Sequence, residues 1–386
     1  MRSIPFQHSI SALLIICLMI ATSVFASLRI PLRADARVAE SKASHPGAAQ
    51  DREIAARFAP VFYQSVGPQR RSDFITNFDF DGDWRGDNNW DNAEKTGLPL
   101  KAYVYYGVSE TLTHYFIHYA VFHPRDYKGG SRGKLLSELL RQGAKRGSRL
   151  DPTGMAEDAA FAHENDMEGC LVVVAKNGAD PQRASVSFVE TMSHNHFLKY
   201  VPDGDGAAGG YEPVRVEEQR PELYIEPKGH GIKSNVSNRK SVEGRNMLVY
   251  RFTGSAENPD AQRDKTVGYE LLPIYGTLWA RARGGVNETY GATFDYASIN
   301  VDVAQKSGQT ASRKFNLGVL GAAFAGKVGA RNMARPPWGW FDRDERGELT
   351  GRWFFDPAQT IKRHFNPAGS FSLAYLHAPF LGLFRQ

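Results

Sequence analysis

Potential metal ligands cluster directly before an apolar strand pattern in the middle of the chain. His163, Asp166 and Glu168 offer one imidazole nitrogen and two carboxylates within six residues, and Gly-Cys-Leu-Val-Val-Val follows. Asp166 and Glu168 share one face of such a strand, while His163 can fold back from the preceding turn. This donor set suits Mg²⁺, Ca²⁺, Mn²⁺ or Zn²⁺, and spacing does not choose among them. The alternative is a strand start held by salt bridges.

Histidines recur at two later strand ends. His194 and His196 follow one predicted strand, and His230 lies between two glycines after another. The glycines let backbone or ligand approach closely. If these ends converge on His163, they form a pocket of titratable imidazoles beside carboxylates. There His194, His196 or His230 could serve as general acid or base.

An acidic segment earlier in the chain resembles half of a calcium loop. Asn77, Asp79, Asp81 and Asp83 place oxygen ligands at every second position, with a glycine at the sixth position. The twelfth position is Asn88 rather than a bidentate glutamate. The alternative is a polar turn whose carboxylates accept backbone hydrogen bonds, with two tryptophans packed beneath.

The segment 113–126 predicts a central strand, because it is apolar on both faces. We interpret His114 and His118 as hydrogen-bonded core histidines. His123 points to the opposite face, and Pro124 is expected to end the strand. Asp126 then lies just past the strand end, where site residues often occur.

These residues must be positioned by a β-rich scaffold. Runs rich in Val, Tyr, Phe and Ile predict strands over 101–108, 111–122, 168–175, 184–191, 222–226, 247–252 and 267–274. Helical patterns are fewer, at 51–58 (capped by Asp51), 134–146, 319–328 and 350–364. The pattern favours a mostly β protein, a single-domain antiparallel β-sandwich with long loops and a few short helices.

Composition narrows the class of protein. The chain has 386 residues, 42% of them hydrophobic and 23% charged, which predicts a folded protein. A net charge of +5 spread along the chain is at best weak support for a nucleic-acid partner, and we expect none. Two cysteines exclude a disulfide-rich scaffold, and we expect Cys170 to be a core residue. The basic stretch 128–149 could contact an anionic ligand or a lipid surface; the alternative is a solvated helix face.

The first residues carry the pattern of a secretory signal. Residues 1–26 combine an early arginine, a short apolar run and a small-residue cleavage site, and an uncleaved anchor is the alternative. We expect a linker over 27–50 and the β-sandwich domain over 51–386, or a separate C-terminal lobe from about residue 260. The predicted location is secreted or periplasmic.

The order of the motifs resembles the necrosis-inducing protein family. The carriers are Tyr119-Ala-Val-Phe-His-Pro-Arg-Asp126, then His163-x-x-Asp166-x-Glu168, then a valine strand and Ser193-His194. Phe58-Ala-Pro60 and the Leu-Tyr-Ile strand before His230 are similar to vacuolar-protein-sorting-associated proteins. The resemblance spans about residues 57–235.

This resemblance implies a secreted single-domain β-sandwich that binds glycosylated sphingolipid head groups with the help of a divalent cation. The ligand positions that carry over are Asp126, His163, Asp166 and Glu168. Asn165 and Met167 replace the second histidine and the tryptophan of the family's heptapeptide. The resemblance therefore supports a cation site in this chain more strongly than it supports toxin activity.

Three functions follow from these residues. The first is a binding protein whose cation, most simply Ca²⁺ or Mg²⁺, helps to hold a glycan or an anionic lipid head group, with peripheral membrane contact. The second is a metal-dependent hydrolase of a phosphoester or acyl substrate, using the pocket histidines. In the third, the ions only brace loops.

Overall fold

Most of the apolar runs form strands of one large sheet. The computed structural model describes residues 44–126, 163–178, 183–204, 210–234, 246–260, 265–328, 334–345 and 349–385. The strands in these ranges are β1 (Val61–Ser65), β2 (Tyr103–Thr111), β3 (His114–Asp126), β4 (His163–Ala175), β5 (Ser185–Met192), β6 (Phe197–Pro202), β7 (Glu212–Val214), β8 (Val216–Glu217), β9 (Arg220–Ile225), β10 (Ile232–Ser234), β11 (Met247–Phe252), β12 (Thr266–Pro273), β13 (Tyr290–Asp295), β14 (Ser298–Ala304), β15 (Thr310–Asn316), β16 (Val319–Phe324) and β17 (Tyr375–His377). The α-helices there are α1 (Ala48–Arg57), α2 (Asn89–Asn92), α3 (Leu278–Ala282), α4 (Arg352–Phe355) and α5 (Pro357–Phe365).

The main sheet is mixed and nearly closed. Its strands follow the order β10-β9-β1-β11-β12-β2-β3-β4-β5-β6-β7. Strands β2 to β6 form an antiparallel meander, whereas β1–β9, β11–β12, β12–β2 and β6–β7 are parallel pairs. The two ends of this order approach each other, because Ser234 Oγ in β10 donates a hydrogen bond to the Pro213 carbonyl in β7 at 2.7 Å.

The mostly β prediction is confirmed, but the antiparallel sandwich is not what forms. The structure has a barrel-like sheet with both parallel and antiparallel neighbours. Parallel pairing joins strands that are far apart in sequence, as in β1 with β9. Strand patterns in one sequence indicate where strands lie, but not which distant strand pairs with which.

Both faces of the central strands are buried. Alternate residues of β2, β3 and β4 enter one core cluster: Val104, Tyr106, Val108, Ile117, Tyr119, Val121, Cys170, Val172 and Val174. The opposite face of β3 is covered by C-terminal segments, where the His118 ring lies 4.8 Å from the Trp353 ring and 5.0 Å from the Phe354 ring. The predicted central strand and the core location of Cys170 are confirmed, and burial raises the pKa of the Cys170 thiol.

Strand β3 continues past the proline that was expected to end it. It runs to Asp126, so Asp126 is its last residue rather than a loop residue. Proline is tolerated here because Pro124 lies where the pairing register skips from His123–Asp166 to Arg125–Glu164, opposite Asn165. No ladder hydrogen bond from the proline nitrogen is needed at that point.

Other element predictions shift or fail. The helix expected over 319–328 is wrong, because 319–324 forms β16, paired with β13. Helix α1 begins at Ala48, with Gly47 as its N-cap at φ 87°, rather than at Asp51. The predicted helix 350–364 is two helices that meet at Asp356, whose side chain caps α5 by accepting from the Gln359 amide. The segments 1–26, 128–149 and 134–146 lie outside the described residues.

No helix in the described ranges is long and apolar enough to span a bilayer.

Two buried histidines predict acid sensitivity. His118 Nε2 donates a hydrogen bond to the Trp353 carbonyl at 3.0 Å, and His114 Nδ1 pairs with Thr113 Oγ1 at 2.8 Å, which confirms their core assignment. Burial lowers the pKa of each imidazole to about 4. Since the unfolded state then binds more protons below the ordinary pKa, stability is full near neutral pH and falls between about pH 6.5 and 4.

We expect each histidine to cost about 2 kcal/mol of unfolding free energy between about pH 7.5 and 5. The variant His118→Phe keeps the aromatic packing and removes one titrating group. It should lose about 1 kcal/mol at neutral pH, from the hydrogen bond to Trp353, and show a shallower acid dependence. Urea unfolding at the two pH values measures both effects. Parallel pH dependences of variant and wild type would contradict this account.

Candidate functional site

Pairing of β3 with β4 brings the first two predicted ligands together. Asp126 lies directly opposite His163 in the antiparallel register. His163 Nε2 is 3.7 Å from Asp126 Oδ2, and His163 Nδ1 is 2.7 Å from the Asn165 carbonyl oxygen. Both residues are more than nine-tenths buried. The sequence motif therefore forms a real contact across two strands.

A left-handed residue turns the ligands of β4 toward one side. In a regular strand His163 and Asp166 would point to opposite faces. Asn165 has φ 60°, which interrupts that alternation. Its side chain is fixed by hydrogen bonds to the Gly86 and Ala325 carbonyls at 2.8 and 2.7 Å. Asparagine suits this position because it tolerates positive φ and because its side-chain NH₂ can donate to both carbonyl oxygens.

Asp166 is held by a buried histidine. His230 Nδ1 lies 2.7 Å from Asp166 Oδ2, and His230 Nε2 lies 3.1 Å from Asp73 Oδ1. The His123 ring stacks on His230 with centroids 3.7 Å apart. Burial alone lowers the pKa of His230, but its two carboxylate partners outweigh it and raise the pKa to about 10.

The same contact acts on Asp166. Burial alone raises the pKa of the Asp166 carboxyl, but the hydrogen bond and charge of His230 hold it below its usual value. Asp73 in turn accepts backbone hydrogen bonds from Gly67 at 2.6 Å and Lys228 at 2.7 Å. His230 is therefore locked between two fixed carboxylates and positions Asp166.

Glu168 carries an unsatisfied carboxylate oxygen. Glu168 is 8% exposed, and its Oε1 accepts a hydrogen bond from the His194 amide at 3.3 Å. Among the described residues no donor reaches the buried Oε2 atom. Burial, and next the charge of Asp166, raise the pKa of Glu168 well above its ordinary value. A buried acceptor without a donor is costly and marks a place where a cation or ligand donor is expected.

His194 lies at the rim of the same site. Its Nε2 is 2.9 Å from Glu226 Oε2, and this hydrogen bond leads the causes that lower the pKa of Glu226 to about 2. A Cβ on Gly229 would lie 2.7 Å from the His194 ring, and one on Gly231 would lie 2.4 Å from Ser193 Oγ. The glycines around His230 thus allow the predicted close approach, by the Ser193-His194 turn.

Backbone strain is concentrated around these residues. Ten non-glycine residues in the described ranges have positive φ, and five of them are Asn165, His194, Asn195, Lys228 and His230. Such conformations cost on the order of 1 kcal/mol or more each and persist where the surrounding structure imposes them. Their grouping here favours a functional role for this region over an ordinary turn.

An open cavity of about 700 Å³ joins these groups. Its acidic lining comes from Asp126, Asp166, Glu168 and Glu226, together with the imidazoles of His163 and His194. Trp340 and Tyr224 add aromatic surface. Trp340 is nearly fully buried, with its indole nitrogen donating to the Met167 carbonyl at 3.0 Å, so only part of the ring faces the cavity.

The donor set fits a hard divalent cation. Three carboxylates and one imidazole face one cavity, and the orphaned Glu168 oxygen is the acceptor that such an ion would satisfy. The four side chains are not among the groups in the described ranges whose ligand atoms come within 4.8 Å of one another. Mutual repulsion of the carboxylates opposes a closer approach.

Two other clusters do meet that distance. One joins His45, Asp51 and His377, and the other joins His196, Asp342 and Asp344. The first also includes Arg385, whose guanidinium donates to Asp51 at 2.5 Å. A cation already neutralises that carboxylate, so the cluster is explained by its own contacts.

His196 lies away from the main cavity lining. Its Nδ1 is 3.2 Å from Asp344 Oδ2, and Asp344 is largely exposed. Of the three predicted acid–base histidines, the structure places His194 at the cavity, buries His230 against Asp166, and pairs His196 with a separate turn. Their catalytic roles stay predictions.

The acidic segment forms a self-bonded turn. Asp79 accepts from Asn77 at 2.9 Å, and Asp83 accepts from the Arg85 amide at 2.8 Å. Asp81 accepts from the Asp83 amide at 3.3 Å. Burial raises the pKa of Asp79 and Asp81. This arrangement matches the polar-turn alternative, and a calcium ion bound by the three aspartates stays a prediction.

Sequence reasoning missed several residues that build the site. Asp73 carried no signal, since it lies in no recognisable motif. Glu226 directly precedes the Pro-Lys-Gly-His loop, and that position could have marked it as a neighbour of the histidine turn. Asn165 was noted only as a departure from the family heptapeptide, whereas it sets the direction of the ligands.

Comparison with known proteins returns similar solved structures only. No protein-family model matches the chain, and no curated protein matches it. Necrosis and ethylene inducing protein 2, from the causal agent of cocoa's witches' broom disease, is 14% identical, with 59% of this chain and 76% of that chain covered and a TM-score of 0.28. The non-toxic HaNLP3 protein is 12% identical, with 57% and 73% covered and a TM-score of 0.26.

A third structure is NLPPya in complex with mannosamine. It is 14% identical, with 50% of this chain and 71% of that chain covered and a TM-score of 0.25. These are proteins of the kind that the sequence motifs resemble. The superpositions are too poor to assign a fold or an activity to this chain. They lend no support to the vacuolar-sorting resemblance, which stays a prediction.

Proposed function

We propose that the cavity binds a divalent cation through Asp126, His163, Asp166 and Glu168. The observation that carries this proposal is the buried Oε2 of Glu168, which has no donor among the described residues. Around it lie two further carboxylates and an imidazole from the same two strands. Oxygen-rich sets of this kind favour Ca²⁺ or Mg²⁺, and the single nitrogen also admits Mn²⁺ or Zn²⁺.

The protein is then a cation-dependent binding protein for a hydroxyl-rich head group, such as a glycan or a glycosylated lipid. A bound cation would supply coordination sites for ligand oxygens. Trp340 and Tyr224 offer apolar surface for one face of a sugar ring, and Glu226 offers acceptors for hydroxyl groups. The volume of about 700 Å³ suits one or two sugar units. We also propose secretion, from the signal pattern over 1–26.

A metal-dependent hydrolase is the second candidate. The His194–Glu226 hydrogen bond of 2.9 Å orients an exposed imidazole at the cavity rim, as a general base requires. Its discriminating test is turnover of phosphoester and acyl ester substrates by wild type and His194→Gln. Cation-dependent turnover that His194→Gln loses would favour the hydrolase.

The binding proposal is tested with Asp126→Asn. We expect wild type to bind Mn²⁺, Mg²⁺ or Ca²⁺ in calorimetric titration, and a monosaccharide panel to bind only when the cation is present. Asp126→Asn should weaken cation binding by about tenfold or more, because one charged ligand becomes a neutral amide. Circular dichroism should stay unchanged, since the amide has the same shape.

The matched control is Asp295→Asn, which removes an exposed carboxylate at the end of β13 instead. It should bind the cation and the sugars as wild type does. Equal binding by Asp126→Asn and wild type, or sugar binding that persists in EDTA, would reject the proposed role of the cation.

A further inference from the structure

The cavity has a basic wall facing its acidic floor. Lys228, Arg335 and Arg343 line the same cavity as the proposed cation ligands. These three basic residues lie in two segments that are far apart in the chain: the Pro-Lys-Gly-His loop and the segment around Trp340. A lysine or arginine side chain beside carboxylates usually forms ion pairs with them.

The carboxylates that line the cavity take other partners instead. Asp126 lies near His163, Asp166 pairs with His230, and Glu226 pairs with His194 and with Lys233 at 2.5 Å. Within the described residues, neither Lys228 nor Arg343 forms a salt bridge through its side chain. Their charges are therefore not used to neutralise the floor.

Arg343 is held in place by its backbone. Its amide donates to the Asn195 carbonyl at 2.8 Å, which joins the 342–345 turn to the strained turn of His194. The neighbouring Asp342 is occupied, because its Oδ2 accepts from the Phe197 amide at 3.0 Å. The Nε atom of Arg343 is buried and has no acceptor among the described residues. A buried guanidinium nitrogen without an acceptor calls for an anionic ligand.

Lys228 is fixed in a comparable way. Its backbone is left-handed at φ 73°, and its amide donates to Asp73 Oδ1 at 2.7 Å. Asp73 is the same carboxylate that holds His230. The carboxylate that holds His230, and through it Asp166, thus also fixes the backbone of Lys228, which lines the cavity.

We propose that this wall binds the phosphate of a phosphorylated ligand, with Arg343 and Lys228 as its donors. This inference rests on the proposed function, because the same ligand would reach the cation through its other oxygens. A guanidinium offers paired N–H donors that match two phosphate oxygens, and a lysine adds a point charge. A neutral sugar would leave both charges unmatched, so the site should prefer phosphorylated to neutral head groups.

The test compares matched ligands and variants by calorimetry. Wild type should bind glucose 1-phosphate about tenfold or more tightly than glucose, and inorganic phosphate should compete with it. Arg343→Gln should lose about tenfold to a hundredfold in affinity for glucose 1-phosphate while it binds Mn²⁺ as wild type does. Arg313→Gln, on an exposed strand, is the control and should change nothing.

Two further arms keep the result decisive. If Arg343→Gln does not fold, Lys228→Gln removes the second donor and should weaken the same ligand. Sedimentation with phosphatidylcholine vesicles, with and without phosphatidic acid, tells whether the phosphate belongs to a lipid or to a soluble molecule; binding to either agrees with the proposal.

Different results would reject the phosphate site and the cation site. Loss of all divalent-cation binding in wild type would reject the cation, and phosphate titration in EDTA would still test the wall. Equal affinity of wild type for glucose and glucose 1-phosphate, or unchanged phosphate affinity in Arg343→Gln, would overturn the proposed phosphate site.

Discussion

Glu168→Gln is expected to abolish divalent-cation binding and, at the same time, to raise the melting temperature measured in EDTA. The affinity for Mn²⁺ or Ca²⁺ should fall at least about a hundredfold, equivalent to about 2.7 kcal/mol. The melting temperature should rise because a buried, unsatisfied carboxylate beside Asp166 is replaced by a neutral amide. Removing the cost of burying this ionisable carboxyl beside Asp166 should stabilise the protein by on the order of 1–2 kcal/mol.

Local geometry should survive this substitution. The amide oxygen can still accept the His194 N–H that Oε1 accepts at 3.3 Å. The new amide N–H can donate to the carboxylates facing it. Calorimetric titration and thermal unfolding with and without EDTA measure the two opposite effects on one sample.

Glu226→Gln is the matched control for this experiment. It makes the same chemical change in the same cavity, on the rim that contacts His194 rather than on the floor. Its cation affinity should stay within about threefold of wild type. If Glu168→Gln binds the cation as tightly as wild type, Glu168 is not a ligand. A lower melting temperature in EDTA would show that its charge stabilises the fold.

Gly169→Ala should produce the largest loss of stability, about 3 kcal/mol. A Cβ at this position would lie 2.3 Å from the Tyr119 carbonyl oxygen and 2.4 Å from Trp340 Cη2. Neither neighbour can retreat easily, because Tyr119 lies in the paired strand β3 and the Trp340 indole donates to the Met167 and Arg335 carbonyls. Displacement of Trp340 would also disturb the cavity wall.

The control is Gly97→Ala, since a Cβ there meets nothing within 4 Å. Its unfolding free energy should change by less than about 1 kcal/mol, and it should bind ligands normally. Urea denaturation of the two variants beside wild type gives the comparison. A Gly169→Ala protein as stable as wild type would mean that the strand and the indole move apart at little cost.

Local sequence patterns were sufficient to predict the positions of several strands and of the cation-ligand residues. Apolar runs located most strands of the meander to within a few residues, because strands buried on both faces read as continuous Val, Ile and Tyr. The ligand motif of Asp166 and Glu168 fell on one strand, and Asp126 met His163 as neighbouring antiparallel strands require.

The remainder depends on contacts between distant segments. The mixed, nearly closed sheet arises because β1 enters between β9 and β11, which no local pattern specifies. The 319–328 run looked helical because its small apolar residues fit either period, and only pairing with β13 selects a strand. Asp73 and Arg343 belong to the site because they contact the backbones of Lys228 and Asn195, which are distant in sequence. The residues next to them in the chain do not predict these contacts.

The insertion of β1 between β9 and β11 also bears on how the molecule reaches its native state. Asp73 and His230 are 157 positions apart in the chain, so their contact closes a long loop before Asp166 is fixed. Topologies dominated by such long-range contacts have high contact order and fold slowly, because loop-closure entropy is lost before the contacts form. We therefore expect the cavity to form late in folding, after the long-range parallel pairs of the sheet are in place.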